Sequence, residues 1–206
     1  MKTLVIHPDD RSTDFLCPIY EPVKNKTVIT GNITKDQLRK HILDHDRVIC
    51  CGHGSPTGLF SVGRFLGAYP YIVDDSMAEN LRHKICIYIW CNADQFVQRH
   101  CLYGFYTGMF ISEVSEALYY NFWNLDDLEH LIEESNHEFS SIVAKHLDQG
   151  LFNMYQYVVA DYSRIGKTNP IAQFNLERLF LNLPTQPLVS GKDFNVTQYN
   201  LHYGCN

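Results

Sequence analysis

Short runs of β-branched and apolar residues, each stopped by turn residues, punctuate the first half of the chain. The runs in TLVIHP (residues 3–8) and KTVITG (residues 26–31) predict two strands, and the polar, proline-bearing stretch between them predicts a loop. ITKDQLRKHILDHD then changes period: Thr34 is placed to cap an amphipathic helix with Leu38, Ile42 and Leu43 on one face. His41 and His45 on that helix read as part of its solvated face. RVICC returns to a strand pattern and runs into Gly52-His53-Gly54.

Beyond it, glycines 58, 63 and 67 sit among alternating apolar residues and predict a β-hairpin or long loop hung off the core. MAENLRHK predicts a short helix, ICIYIWCNAD the most apolar strand, a second short helix follows, and GFYTGMFIS predicts another strand. Strands that are nearly continuous in apolar residues and alternate with helices indicate an α/β protein, a mainly parallel sheet flanked by helices on both faces. From SEVSEALYYNF onward the pattern is helical, with Leu128, Leu131, Ile132, Phe139, Ile142, Val143 and Leu147 in register and Gly150 as a C-cap. One or two further helices are expected after it, then a partly ordered loop from Asn182. The aromatic LYYNFW reads as packing rather than a binding platform.

At 206 residues the chain suits one core, so a single domain over 1–206 is expected, with 123–206 as its helical C-terminal part. A net charge of −6 without any basic cluster excludes the electrostatic footprint of a nucleic-acid binder. MKTLVIHPDD fits neither a signal peptide nor an anchor, and no run approaches the roughly 18 apolar residues of a membrane span. Seven cysteines without framework spacing suit free thiols in a reducing cytoplasm. No C-x-x-C spacing points to a metal, and adjacent Cys50 and Cys51 would face opposite sides of a strand.

Chemistry in an open parallel sheet gathers at the carboxyl ends of the strands. Two predicted strands end there in capable residues, His53 and Cys91. If they are neighbours, the two side chains emerge at one sheet edge, with His7 at the end of the first strand near the same edge. An imidazole beside a thiol takes its proton or stabilises the thiolate, the requirement for nucleophilic acyl transfer. The backbone N–H groups of Gly54 and Cys91 are natural oxyanion donors, and a glycine after the histidine lets a substrate carbonyl come close to the backbone.

An apolar strand ending in His-Gly, followed some 40 residues later by one ending in Cys, resembles the caspase-like cysteine peptidases: caspases, metacaspases, gingipains, separases and the CHAT proteases. GFYTGMFISEVSEALYYNF is similar in layout to the stretch after the catalytic cysteine in CHAT-type and separase-type members. The resemblance covers roughly residues 3–122 and implies a three-layer caspase-like fold. It also implies a cysteine endopeptidase with Cys91 as nucleophile, His53 as general base or ion-pair partner and Gly54 in the oxyanion hole. It places Glu116 in the pocket for the residue before the scissile bond, where an acid favours Arg or Lys, with Asp94 competing for that role. No cofactor is implied; the expected partner is a peptide or protein substrate, and a protein partner or homo-oligomer is left open. The sequence departs from the family pattern where Trp90 precedes the cysteine, which could narrow the site, and where Ala93 replaces a glycine. An inactive homologue serving as an interaction module is therefore the alternative.

Overall fold

The computed structural model describes residues 1–184 and 186–190. In chain order the elements are β1 (Thr3–Ile6), a 3-10 helix (Arg11–Ile19), β2 (Lys26–Ile29), α1 (Lys35–Asp44) and β3 (Arg47–Cys51). After the His53 turn come β4 (Gly54–Ser55), β5 (Gly58–Phe60) and β6 (Tyr71–Val73), a short 3-10 turn (Asp75–Met77) and α2 (Ala78–Leu81). The centre continues with β7 (Ile85–Ile89), α3 (Ala93–Arg99) and β8 (Gly104–Thr107). The C-terminal part comprises α4 (Val114–Tyr119), α5 (Leu128–His146), α6 (Leu151–Gly166), α7 (Pro170–Leu176), β9 (Leu179–Leu183) and β10 (Gln186–Ser190).

Seven of these strands form one sheet in the order β10-β9-β8-β7-β3-β1-β2. The five from β2 to β8 are mutually parallel, and β9 and β10 each join antiparallel to their neighbours. The period of two along each central strand explains why both faces are covered. Val5, Ile49, Cys51, Ile87, Ile89 and Phe105 point to the face carried by α5 and α6, where they meet Phe139, Val143, Met154 and Val158. Their alternates Leu4, Ile6, Val48, Cys50, Cys86, Tyr88 and Tyr106 point to the other face, against Leu38, Ile42, Leu81, Phe96 and Val97. Each Val, Leu, Ile or Phe among them, fully withdrawn from water, stabilises the fold by about 1.5–3 kcal/mol. Cys50 and Cys51 do face opposite sides, and the six cysteines among the described residues are all free. Cys205 lies outside the described residues.

Several local expectations are corrected. The polar loop after β1 is the 3-10 helix, started by the Asp10 side chain accepting from the Ser12 N–H and held down by Leu16 and Ile19, which bury among the α5 residues. Helix α1 has its Thr34 cap, completed by Gln37 into a capping box, but Leu43 is 59% exposed because it is rotated off the stripe that Leu38 and Ile42 form. His45 is buried, its ring bonded to the His41 carbonyl and Thr27 Oγ1, so only part of that face is solvated. The glycine-rich stretch after His53 does form the expected β-hairpin, β4 with β5, and β6 extends it to a three-stranded antiparallel sheet. Gly150, with φ +77°, starts α6 rather than capping α5. Asn182 belongs to β9, where Leu179 and Leu181 are buried; a short apolar run behind a helix cannot be told from more helix by periodicity alone. In LYYNFW, Tyr120 and Phe122 pack on a small cluster with Phe174, whereas Tyr119 and Trp123 are exposed.

Candidate active site

Strands β3 and β7 are adjacent and parallel, and Cys51 pairs with Ile89. His53 and Cys91 each lie two residues beyond that pair, so the sheet delivers them at the same level of one edge. Two glycines shape the turn. Gly52 takes φ +139°, a conformation that L side chains rarely adopt, and its N–H donates to the Ile89 carbonyl at 3.1 Å, which ties the two strand ends together. Gly54 is required by packing: a Cβ there would fall 2.2 Å from Trp90 Cδ1 and 2.7 Å from the Gly58 carbonyl oxygen.

Trp90 is therefore not a wall narrowing the site. It is 2% exposed, donates its indole N–H to the Ser55 carbonyl at 3.1 Å, and meets Tyr88 and Phe96 edge-on within the face that carries α3. The chain turns after Cys91 through Asn92, at φ 64°, whose N–H donates to the Gly108 carbonyl at 3.0 Å. Ala93 then opens α3, fully buried, so the left-handed residue of this turn is Asn92.

The residue that meets His53 is Ser12, whose Oγ lies 2.7 Å from the imidazole Nε2. Ser12 Oγ also donates to Asp10 Oδ1 at 2.9 Å. Carboxylates of Asp10 and Glu113 each stand 3.9 Å from the same Nε2, and the His53 side chain is 26% exposed. Partial burial pushes the Asp10 carboxyl up, but the two hydrogen bonds from Ser12, with the charges of His53 and Arg64, outweigh it and hold the group below its ordinary value.

Cys91 has different company. Its sulfur lies 3.4 Å from the Phe110 carbonyl oxygen and 3.6 Å from Glu116 Oε1, two acceptors that share its one proton, and no hydrogen bond joins it to His53. Burial, reinforced by the Glu116 and Glu113 carboxylates, pushes the thiol up to about 12. Glu116 is itself committed to its helix: Oε2 accepts from the Ser112 N–H at 2.8 Å, the Ser112 hydroxyl at 3.2 Å and the Glu113 N–H at 3.2 Å. Together with Glu113 it forms the capping box of α4, so the start of this one helix supplies a carboxylate to each strand end. Asp94 sits in the first turn of α3, raised by burial, with its buried Oδ1 lacking a hydrogen-bond partner; it pairs with neither His53 nor Cys91.

His7 does not line an open cleft. It is 4% exposed, with Nδ1 2.9 Å from the Tyr20 hydroxyl and Nε2 3.0 Å from Thr13 Oγ1, and burial lowers its proton affinity. It fastens the 3-10 helix that carries Ser12. Sequence reasoning missed Asp10, Ser12 and Glu113. The available signal was Asp-x-Ser directly after the first strand, a capping pattern whose loop must emerge beside β3 because β1 is its neighbour.

Among the described residues, no group of three or more His, Cys, Asp or Glu side chains is placed to hold a metal ion, and no helix is long and apolar enough to cross a membrane. Compared with protein-family models, with curated proteins and with solved structures, the chain matches none.

Proposed function

We propose that the chain is a caspase-like cysteine endopeptidase of the cytoplasm whose His53–Cys91 pair is held here in a resting arrangement. The observation that carries this reading is the register of β3 on β7, which brings an imidazole and a thiol to one level of one sheet edge. In the reaction, His53 takes the Cys91 proton as sulfur attacks the peptide carbonyl, and the N–H groups of Gly54 and Cys91 hold the oxyanion. The proton passes to the leaving amine as the C–N bond breaks. Water then hydrolyses the thioester, with His53 again as base. Asp10, Glu113 and Glu116 surround this edge, which suits a substrate with Arg or Lys before the scissile bond. Before attack the thiol must leave the Phe110 carbonyl and Glu116.

A second reading is favoured by those same bonds: a thiol held at about 12 is a poor nucleophile, and a chain that keeps it so acts as a non-catalytic interaction module on the same fold. Iodoacetamide labelling of each cysteine from pH 5 to 9, with a basic peptide library present and absent, separates the two. The peptidase reading expects Cys91 to become the fastest-labelling thiol with peptide present, and to lose that advantage in His53→Ala. Labelling that ignores both peptide and His53 leaves the interaction module.

A further inference from the structure

We propose that Asp10 and Ser12 are the positioning residues of His53: the Ser12 hydroxyl, anchored on the Asp10 carboxylate, receives the Nε2 proton of the imidazole and leaves Nδ1 as its basic nitrogen. The proposal rests on the peptidase reading, for which it supplies the third member that the His53–Cys91 pair lacks.

The assignment follows from counting hydrogens. A hydroxyl has one proton and a carboxylate can only accept, so the 2.9 Å contact from Ser12 Oγ to Asp10 Oδ1 takes the Ser12 proton. The 2.7 Å contact between Ser12 Oγ and His53 Nε2 must then be donated by the imidazole. Among the described residues no hydrogen bond reaches His53 Nδ1, so its lone pair is free to take a proton from elsewhere.

The same count argues against Ser12 as a nucleophile. In a serine hydrolase the hydroxyl gives its proton to the imidazole, and the acid orients the ring from its other nitrogen. Here the acid takes the serine proton, and both Asp10 and Glu113 approach the nitrogen that Ser12 already occupies. Ser12 is also held by its backbone, since its N–H donates to Asp10 Oδ1 at 3.1 Å as the first bond of the 3-10 helix. His7 and Thr13 pin that helix beside β1, so the hydroxyl stands on a fixed support rather than on a free loop.

The test is long-range proton–nitrogen NMR of the full chain labelled with 15N-histidine, comparing wild type, Ser12→Ala, Asp10→Asn and Ser12→Thr. The expected result is one neutral tautomer of His53, protonated at Nε2, with an observable ring N–H proton. Ser12→Ala should lose that proton signal and show mixed tautomers, Asp10→Asn should weaken it while keeping the helix cap, and Ser12→Thr should restore it. Protonation at Nδ1 in the wild type, or a Ser12→Ala spectrum identical to wild type, overturns the proposal. These readouts need no turnover, so an unreactive Cys91 in the labelling experiment would remove the peptidase reading while the ring geometry is judged on its own.

Discussion

At the carboxyl end of β3, His53 is a quarter exposed and stands among a hydroxyl and two carboxylates, whereas at the carboxyl end of β7, two residues beyond the paired position, the Cys91 thiol is drawn onto a carbonyl and a capped glutamate. The strands themselves do not make this difference, since both are apolar, parallel and fully hydrogen-bonded to one another along five residue pairs. What differs is the neighbour on the outer side. Beside β3 lies β1, whose loop becomes a 3-10 helix with polar caps; beside β7 lies β8, whose continuation offers the Phe110 carbonyl and the start of α4. The lesson is that a sheet edge fixes where groups emerge, and the loops of flanking strands fix their chemistry. On the peptidase reading, the imidazole is already positioned and activation must act on the thiol.

The two ends share one seat, Trp90 beneath Gly54, and removing it should have the largest effect. Trp90→Ala is expected to cost about 3–5 kcal/mol of stability in urea unfolding, as a fully buried aromatic leaves a cavity. A loss under 1 kcal/mol would mean that Trp90 does not hold the edge. Next in size is Gly54→Ala, expected to cost about 1–3 kcal/mol through overpacking against the indole. In the Trp90→Ala background that cost should shrink, and strict additivity of the two substitutions would show that they do not touch.

The contrast between the ends can be sharpened chemically. Glu116→Gln removes the charge beside the sulfur and should bring the Cys91 thiol down from about 12, raising its alkylation rate at pH 9 about threefold for each unit recovered, because the roughly tenfold gain in thiolate is partly offset by its lower nucleophilicity. Unchanged labelling of Cys91, with the α4 helix intact by circular dichroism, would show that the Glu116 charge has no part in the suppression and leave it to burial and Glu113.

The smallest effect concerns the support on the other side of β3. His7 is buried and neutral, and its proton affinity lies below the ordinary value near 6.5. As pH falls through that value the unfolded chain binds the proton first, so stability declines below it, by at most about 1.4 kcal/mol per pH unit for one group, and is unaffected above it. Wild type should therefore lose stability between pH 7 and 5.5 more steeply than His7→Gln; equal slopes would show that His7 takes up its proton without unfolding.

Much of the scaffold was legible in the chain itself. Strands β1, β2, β3, β7 and β8 announce themselves because apolar runs and turn residues are local signals, and Thr34 marks the start of α1 by bonding within its own first turn. That these strands lie parallel follows from their alternation with helices, but the order, and with it the shared edge of His53 and Cys91, depends on β3 pairing with β7 across a long crossover that contains the three-stranded sheet and α2. Strand β9 was not legible, since residues 179–181 read as the end of a helix and the chain from Asn182 as loop until β8 is present to pair with them. Nor were the partners of the two site residues: Ser12 lies 41 residues from His53, and Glu116 lies 25 from Cys91. The sequence by itself determined the five strands of the parallel sheet, the alternation of their side chains between its two faces and the residues that end them, because period and turn chemistry act within a few residues. Only the tertiary structure decided that His53 meets a serine, that Cys91 meets a capping glutamate and that Trp90 lies under Gly54. Those contacts depend on ångström-scale placement of loops by strands paired far apart in the chain.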